Sequence, residues 1–286
     1  MWRVYRWILA LFCLFFSACS SQSTKFQEIE PGSIYKGEIT INEPSSSNEV
    51  VLSNGQIEID ASNTSDGYVM VRTLQPFDAK LKCRIQLGTD QYTYTLPSNM
   101  EYSVFPLQMG NGEYSITFYQ NIQDNKYAQI YSEDLSVQQK QEDRVFVFPN
   151  QFVWYTHEYP AILLSYDLCD GLEGDQEKID AIYNYLIQYM DYDNEKAANV
   201  QAGYIPNLEQ VLQEKKGICF DYAALMAAML RAQNIPTRLV MGDLSSEGIY
   251  HAWNQVEIDG EWTWYDPTYG KNNKNKTEDY IEDRRY

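Results

Sequence analysis

The chain has 286 residues, with 22 Lys and Arg against 40 Asp and Glu and a formal net charge of −18. A chain this acidic is repelled by nucleic acid and by anionic lipid surfaces, which disfavours both as direct partners. A hydrophobic fraction of 44% with 24 tyrosines supports real cores, and the length suggests about two domains.

Met1–Arg6 carries two arginines, and Trp7–Phe16 (WILALFCLFF) is a short uncharged apolar run. Such a run suits a signal peptide and falls well short of the ~20 residues a spanning helix needs. Ser17, Ala18 and Cys19 follow, and FSAC resembles a bacterial lipobox, with Phe16 in place of the usual leucine. That resemblance makes Cys19 the lipid-attachment residue and predicts an exported protein anchored to the cell membrane on its extracytoplasmic face. The alternative is ordinary secretory cleavage near Ala18, which also exports the chain. Residues 1–19 are thus read as signal peptide with lipobox, and 20–27 (from SSQSTK) as a polar tether.

From 28 to 137 the pattern is strand throughout. YVMVRTL, KLKCRIQL, QYTYTL, YSVFPL and EYSITFYQNI alternate apolar with polar residues between turns such as Gly110-Asn111-Gly112. The expectation is an antiparallel all-β sandwich of immunoglobulin-like size, with no catalytic cluster in it. Residues 138–147 (from QQKQEDR) read as a polar linker, and 148–286 as the second domain. FVFPNQFVWY is expected to lie extended on that domain, with His157 a surface or linker histidine.

Asp175–Met190 places Ile179, Ile182, Tyr183, Leu186, Ile187 and Met190 on one stripe of an amphipathic helix. Gly203–Pro206 turns the chain, Asn207 caps a short helix to about Glu214, and Lys215–Gly217 leads to Cys219. Cys219 heads an alanine-rich apolar run to about Gln233, read as a buried helix that Pro236 closes. A helix start favours a thiolate by only roughly 0.3–1 kcal/mol. A strongly nucleophilic cysteine therefore needs a second cation, and an imidazolium is the usual one.

His251 can supply it. His251–Ile258 and Glu261–Tyr265 read as two strands around Asp259-Gly260, the strongest short hairpin signal. A two-residue turn sets Ile258 against Glu261 and, counting back, Asp266 opposite Trp253. Strand alternation then makes His251 and Asp266 diagonal neighbours on one face. An aspartate there fixes the imidazole tautomer and stabilises its charged form.

Of five cysteines, Cys13 leaves with the signal peptide and Cys19 is the lipid site, so Cys83, Cys169 and Cys219 remain. The odd count leaves at least one free thiol; Cys83 and Cys169 either pair across the two domains or stay buried in core patterns. No CxxC and no His cluster is present, so no metal or cofactor site is assigned.

GICFDYA, YHAWNQV and WYDPTYG resemble the three blocks of the transglutaminase-like superfamily core, closely over about 192–270 and loosely back to about 148. The resemblance implies an α+β, papain-like fold with a catalytic triad of Cys219, His251 and Asp266. It also implies acyl transfer or hydrolysis on protein or peptide amides through a Cys219 thioester. The Cys219 backbone N–H is the expected first oxyanion donor; the second is open, with Tyr204 and the residues around Tyr192 as candidates. The competing reading is a cell-surface binding or assembly module on a degenerate core of the same family.

Overall fold

The computed structural model describes residues 35–270 and 276–286. The expected signal peptide, Cys13, Cys19 and the tether lie outside the described residues. Among the described residues no helix is long and apolar enough to cross a membrane.

Alternation between apolar and polar side chains builds the first half. Its strands are β1 (Val51–Ser53), β2 (Ile57–Asp60), β3 (Tyr68–Thr73), β4 (Leu81–Leu87), β5 (Asp90–Leu96), β6 (Ser103–Pro106), β7 (Gly112–Gln123) and β8 (Lys126–Val137). They form two four-stranded antiparallel sheets, ordered β1-β2-β3-β6 and β5-β4-β7-β8. In β4, Leu81, Cys83 and Ile85 point into the core while Lys82 and Arg84 face out. Ile57, Ile59, Val69 and Val71 of the first sheet join the same core.

The predicted linker is not a loose tether. Gln139 Nε2 donates to the Leu107 carbonyl at 2.6 Å. The FVFPNQFVWY stretch was expected to be extended, but it opens in a 3₁₀ turn, Arg144–Val147, with Val145, Phe146 and Val147 buried. Three consecutive buried apolar residues fit a turn better than an extended segment on the surface, whose alternate side chains would face solvent. Phe148 packs on Tyr68 of β3 at 4.8 Å, and Phe146 on Trp262 at 5.6 Å.

The second half contains α1 (Pro160–Cys169), α2 (Asp175–Tyr189), β9 (Asp191–Tyr192), α3 (Asn194–Asn199), α4 (Leu208–Glu214), β10 (Lys216–Gly217) and α5 (Cys219–Ala232). It ends with β11 (Thr237–Leu244), β12 (Ile249–Ile258), β13 (Glu261–Tyr265) and β14 (Tyr280–Arg285), in an antiparallel sheet ordered β13-β12-β11-β14. The first half is thus β-sheet and the second α+β. Every residue of α5 after Cys219 is buried, and the helix packs between the sheet and α1, α2 and α4. Ala223, Ala224, Ala227 and Ala228 allow that close approach.

α1 has no counterpart in the sequence reading. It is apolar on most sides, so no stripe marks it, and Pro160 at its first turn looks like a stop although proline fits there. Cys83 and Cys169 are both buried free thiols, so the disulfide alternative does not hold. Burial pushes both thiols up, Cys169 to about 12. His157 is at the surface, where its Nδ1 meets a Glu43 carboxylate oxygen at 2.8 Å.

Candidate active site

Cys219 is placed by the turn that starts its helix. Lys216 and Gly217 pair in parallel with Asp191 and Tyr192, and the Ile218 N–H donates to the Asp221 carboxylate at 2.9 Å. Asp221 is the third residue of α5, so this bond caps the helix and turns the chain at Cys219. Only glycine fits at 217, because a Cβ there would lie 2.7 Å from the Asp221 Cβ. Cys219 is the one partly exposed residue at the head of a buried helix.

β12 brings His251 to the thiol. Asn254, fully buried, donates through Nδ2 to the Ala223 carbonyl at 2.9 Å and to the Arg238 carbonyl at 3.2 Å. These bonds fasten β12 to the first turns of α5 and to β11. The β12–β13 hairpin pairs Ile258 with Glu261 and Asn254 with Tyr265, so Asp266 follows directly opposite Trp253.

The His251 Nε2 and the Asp266 Oδ2 are 2.8 Å apart, with both side chains buried. The Cys219 thiol lies beside the same imidazole, close enough to help it hold its proton. Burial alone would lower the imidazole pKa; the hydrogen bonds to Asp266 and Cys219 outweigh it and lift it to about 9. Asp266 is itself held from three sides. Its Oδ1 accepts from the N–H groups of Thr268 (3.0 Å) and Tyr269 (3.4 Å), and its Oδ2 from the Tyr280 hydroxyl (2.8 Å). Tyr269 and Trp253 flank the imidazole at ring distances of 5.2 and 6.4 Å.

The Tyr192 hydroxyl meets the backbone N–H of Cys219, placed there by the β9–β10 bridge. Tyr204, the other candidate donor, is committed elsewhere: its hydroxyl donates to the Asp221 Oδ1 at 2.5 Å. The site therefore gathers Cys219, His251, Asp266 and Tyr192. Asn254 and Tyr280 were not singled out from sequence. Tyr280 has no local signal, since its strand pairs across the sheet; Asn254, three residues from the histidine in YHAWNQV, reads as an ordinary strand polar residue. Among the described residues no cluster of three or more His, Cys, Asp or Glu side chains could hold a metal ion.

A thiol at a helix start beside an imidazole and a carboxylate is chemically able to carry out nucleophilic acyl transfer. Residues 164–267 match the family model of the transglutaminase-like superfamily, and the chain carries a transglutaminase-like core. Among curated relatives, it is similar to the kyphoscoliosis peptidase of Mus musculus, 28% identical over 115 residues, covering 36% of this chain and 17% of that protein. It is also similar to an uncharacterised protein of Mycobacterium leprae, 36% identical over 101 residues, covering 29% of this chain and 35% of the other. The chain thus spans about a third or less of either relative's length. One similar solved structure, from Cytophaga hutchinsonii, carries a cysteine protease designation as a candidate: 14% identity, 75% of this chain, 74% of that chain, TM-score 0.41. Another is the periplasmic domain of TgpA from Pseudomonas aeruginosa: 17% identity, 79% of this chain, 75% of that chain, TM-score 0.34.

Proposed function

We propose that the protein is an exported, membrane-tethered cysteine enzyme that transfers or hydrolyses the acyl group of protein or peptide amides. The observation that carries the reading is the Cys219–His251–Asp266 array, with the carboxylate on one imidazole nitrogen and the thiol beside the ring. The Cys219 sulfur attacks the carbonyl carbon and the C=O electron pair moves to oxygen. The tetrahedral intermediate collapses, the C–N bond breaks, and His251 delivers its proton to the departing amine. The thioester is then released by water, or by a second amine, with His251 taking up the incoming proton. Asp266 holds the ring and stabilises its charged form. In this reading the Cys219 N–H and the neighbouring Tyr192 hydroxyl are the two oxyanion donors.

Cys19 is the anchor in this reading, and the two-sheet region, taken as an immunoglobulin-like sandwich, is a spacer that lifts the site off the bilayer. Cys19→Ala should release the protein from the membrane fraction of cells; equal retention would remove the anchor from the account.

The deciding experiment is the pH–rate profile for iodoacetamide alkylation of the mature protein, beside His251→Ala. Fast labelling that persists well below neutral pH and is lost in the variant is the expected result. Slow labelling with the same profile in both proteins would favour a binding module on a degenerate core.

A further inference from the structure

Asp221 does more than cap a helix. It is fully buried, and its two carboxylate oxygens collect three donors from three separate segments. Oδ2 takes the Ile218 N–H just before the nucleophile (2.9 Å) and the Lys196 ammonium from α3 (2.7 Å). Oδ1 takes the Tyr204 hydroxyl from the loop beyond α3 (2.5 Å). The ammonium also lies 4.5 Å from the centre of the Tyr204 ring, which in turn meets Phe220 edge-on at 6.2 Å. Lys196 and Tyr204 thus close on the same carboxylate from the same side of α5.

That side is the one Tyr192 comes from. Tyr192 ends β9, Asp193 caps α3 by accepting from the Lys196 N–H (2.9 Å), and the Asp193 N–H donates to the Gly217 carbonyl (2.8 Å). The stretch 192–196 is thus fastened near its start to Gly217, through the Asp193 N–H, and at its end to Asp221, through the Lys196 ammonium. A side chain 38% exposed at a two-residue bridge has little packing of its own to fix its hydroxyl. The carboxylate clamp supplies what packing does not.

We propose that the Lys196–Asp221–Tyr204 cluster positions the Tyr192 hydroxyl as an oxyanion donor at Cys219. Lys196, Asp221 and Tyr204 are positioning residues: they touch neither the reacting sulfur nor the carbonyl, and they act through Tyr192. The inference rests on the acyl-transfer reading above and extends it to residues outside the triad.

Two reactions of the same thiol separate the effects. Alkylation by iodoacetamide displaces iodide at a saturated carbon and develops no oxyanion, so it reads the thiol and His251 alone. Acylation by p-nitrophenyl acetate passes through a tetrahedral oxyanion and needs both donors. In Tyr192→Phe, acylation should fall about 100-fold, the scale for losing one oxyanion donor, with alkylation close to wild type. Lys196→Met should lose roughly tenfold in acylation, mostly in kcat, again with alkylation kept, while Lys196→Arg restores most of it. The double variant Lys196→Met/Tyr192→Phe should be no worse than Tyr192→Phe alone, because the lysine works through the tyrosine. Should Lys196→Met fail to fold, Tyr204→Phe, which removes one hydrogen bond, takes its place in the cycle.

Additive losses in the double variant, unchanged acylation in Lys196→Met, or a parallel fall of alkylation and acylation would each overturn the proposal. A wild-type protein whose alkylation ignores His251 and which takes up no acyl group would instead overturn the acyl-transfer reading, and the proposal with it.

Discussion

His251 keeps a proton that burial by itself would remove. Desolvation lowers its pKa, yet Asp266 and Cys219 carry it up to about 9, against about 6.5 in an unfolded chain. A group whose pKa rises on folding contributes its full stabilisation below the unfolded value and loses it as pH passes through the folded one. The contribution of His251 is therefore complete near pH 6, declines above about 6.5 and is gone beyond about 9. A shift of that size corresponds to about 3 kcal/mol. Urea unfolding of wild type and His251→Gln should give a gap in stability that is widest near pH 6 and has narrowed by pH ~9.5. A gap that does not change with pH would show that the imidazolium is not what the fold stabilises.

Asp266→Asn tests the other half of the pair. An amide still fills the space but offers no charge, so only Cys219 then opposes desolvation and the imidazole pKa should fall clearly from its raised value. NMR titration of the His251 ring reads this directly, and acyl transfer should fall on the order of 100-fold or more. The positions of His251 and Asp266 were legible in the sequence because a two-residue turn fixes strand register, and register fixes which side chains meet. The Tyr192 hydroxyl was legible only as one of several options. What decides it against Tyr204 is the buried Asp221, whose partners come from α3 and the following loop and leave no periodic trace.

Among the elements, β14 shows how a strand far from the hairpin tunes the site. It lines the outer edge of β11 and carries Tyr280, whose hydroxyl bonds Asp266. Its pairing with β11 slips at Met241/Gly242, and Gly242 lies directly across β11–β12 from His251. A Cβ on Gly242 would fall 2.0 Å from the Ile281 carbonyl oxygen. Gly242→Ala must therefore push β14 away, at a cost of about 1–3 kcal/mol. Because Ile281 adjoins Tyr280, the same shift should loosen the Asp266 contact and slow His251-dependent alkylation. Lower Tm with unchanged alkylation would mean that Asp266 is held well enough by its own turn.

α2, α4, α5 and the hairpin were legible because each has a stripe, a cap or a turn of its own. α1 and β14 were not, for different reasons. α1 is buried nearly all round and so has no stripe. β14, YIEDRR, alternates like a strand but is short and charged, and only its place beside β11 gives it a structure.

At the scale of the whole molecule, the β-sheet half and the transglutaminase-like core are joined as a protein interior is, not as two beads on a string. Tyr286, following β14, packs at ring distances of 5.5 Å on Tyr92, 6.3 Å on Tyr94 and 4.3 Å on Phe152. Beneath them lies Arg231, fully buried near the end of α5. Its guanidinium donates to three carbonyls: Thr237 at 2.9 Å, Phe148 at 2.8 Å and Tyr286 at 2.7 Å. These belong to β11, to the junction between the halves, and to the residue that meets β5. Burial pulls the pKa of this arginine down to about 10, still charged at neutral pH. One buried cation therefore supplies a donor to three backbone acceptors at once. Arg231→Met would fill much of the volume but strip the Thr237 and Phe148 carbonyls of this donor, while the Tyr286 carbonyl keeps the Leu239 N–H at 2.9 Å; the cost is on the order of 2–4 kcal/mol. All three acceptors belong to the second half, and Phe148 and Tyr286 are the ones whose rings pack on the first, so the loss also loosens the contact between the halves. Wild-type protein should unfold in urea as one unit, with far-UV dichroism and tryptophan fluorescence tracing the same transition. In Arg231→Met the two probes should separate, because the four tryptophans among the described residues, Trp154, Trp253, Trp262 and Trp264, all lie in the second half, whereas the dichroism also reports the eight strands of the first. Coincident curves in the variant would place the coupling in the aromatic cluster instead, and Tyr286→Ala would then be the substitution that splits them.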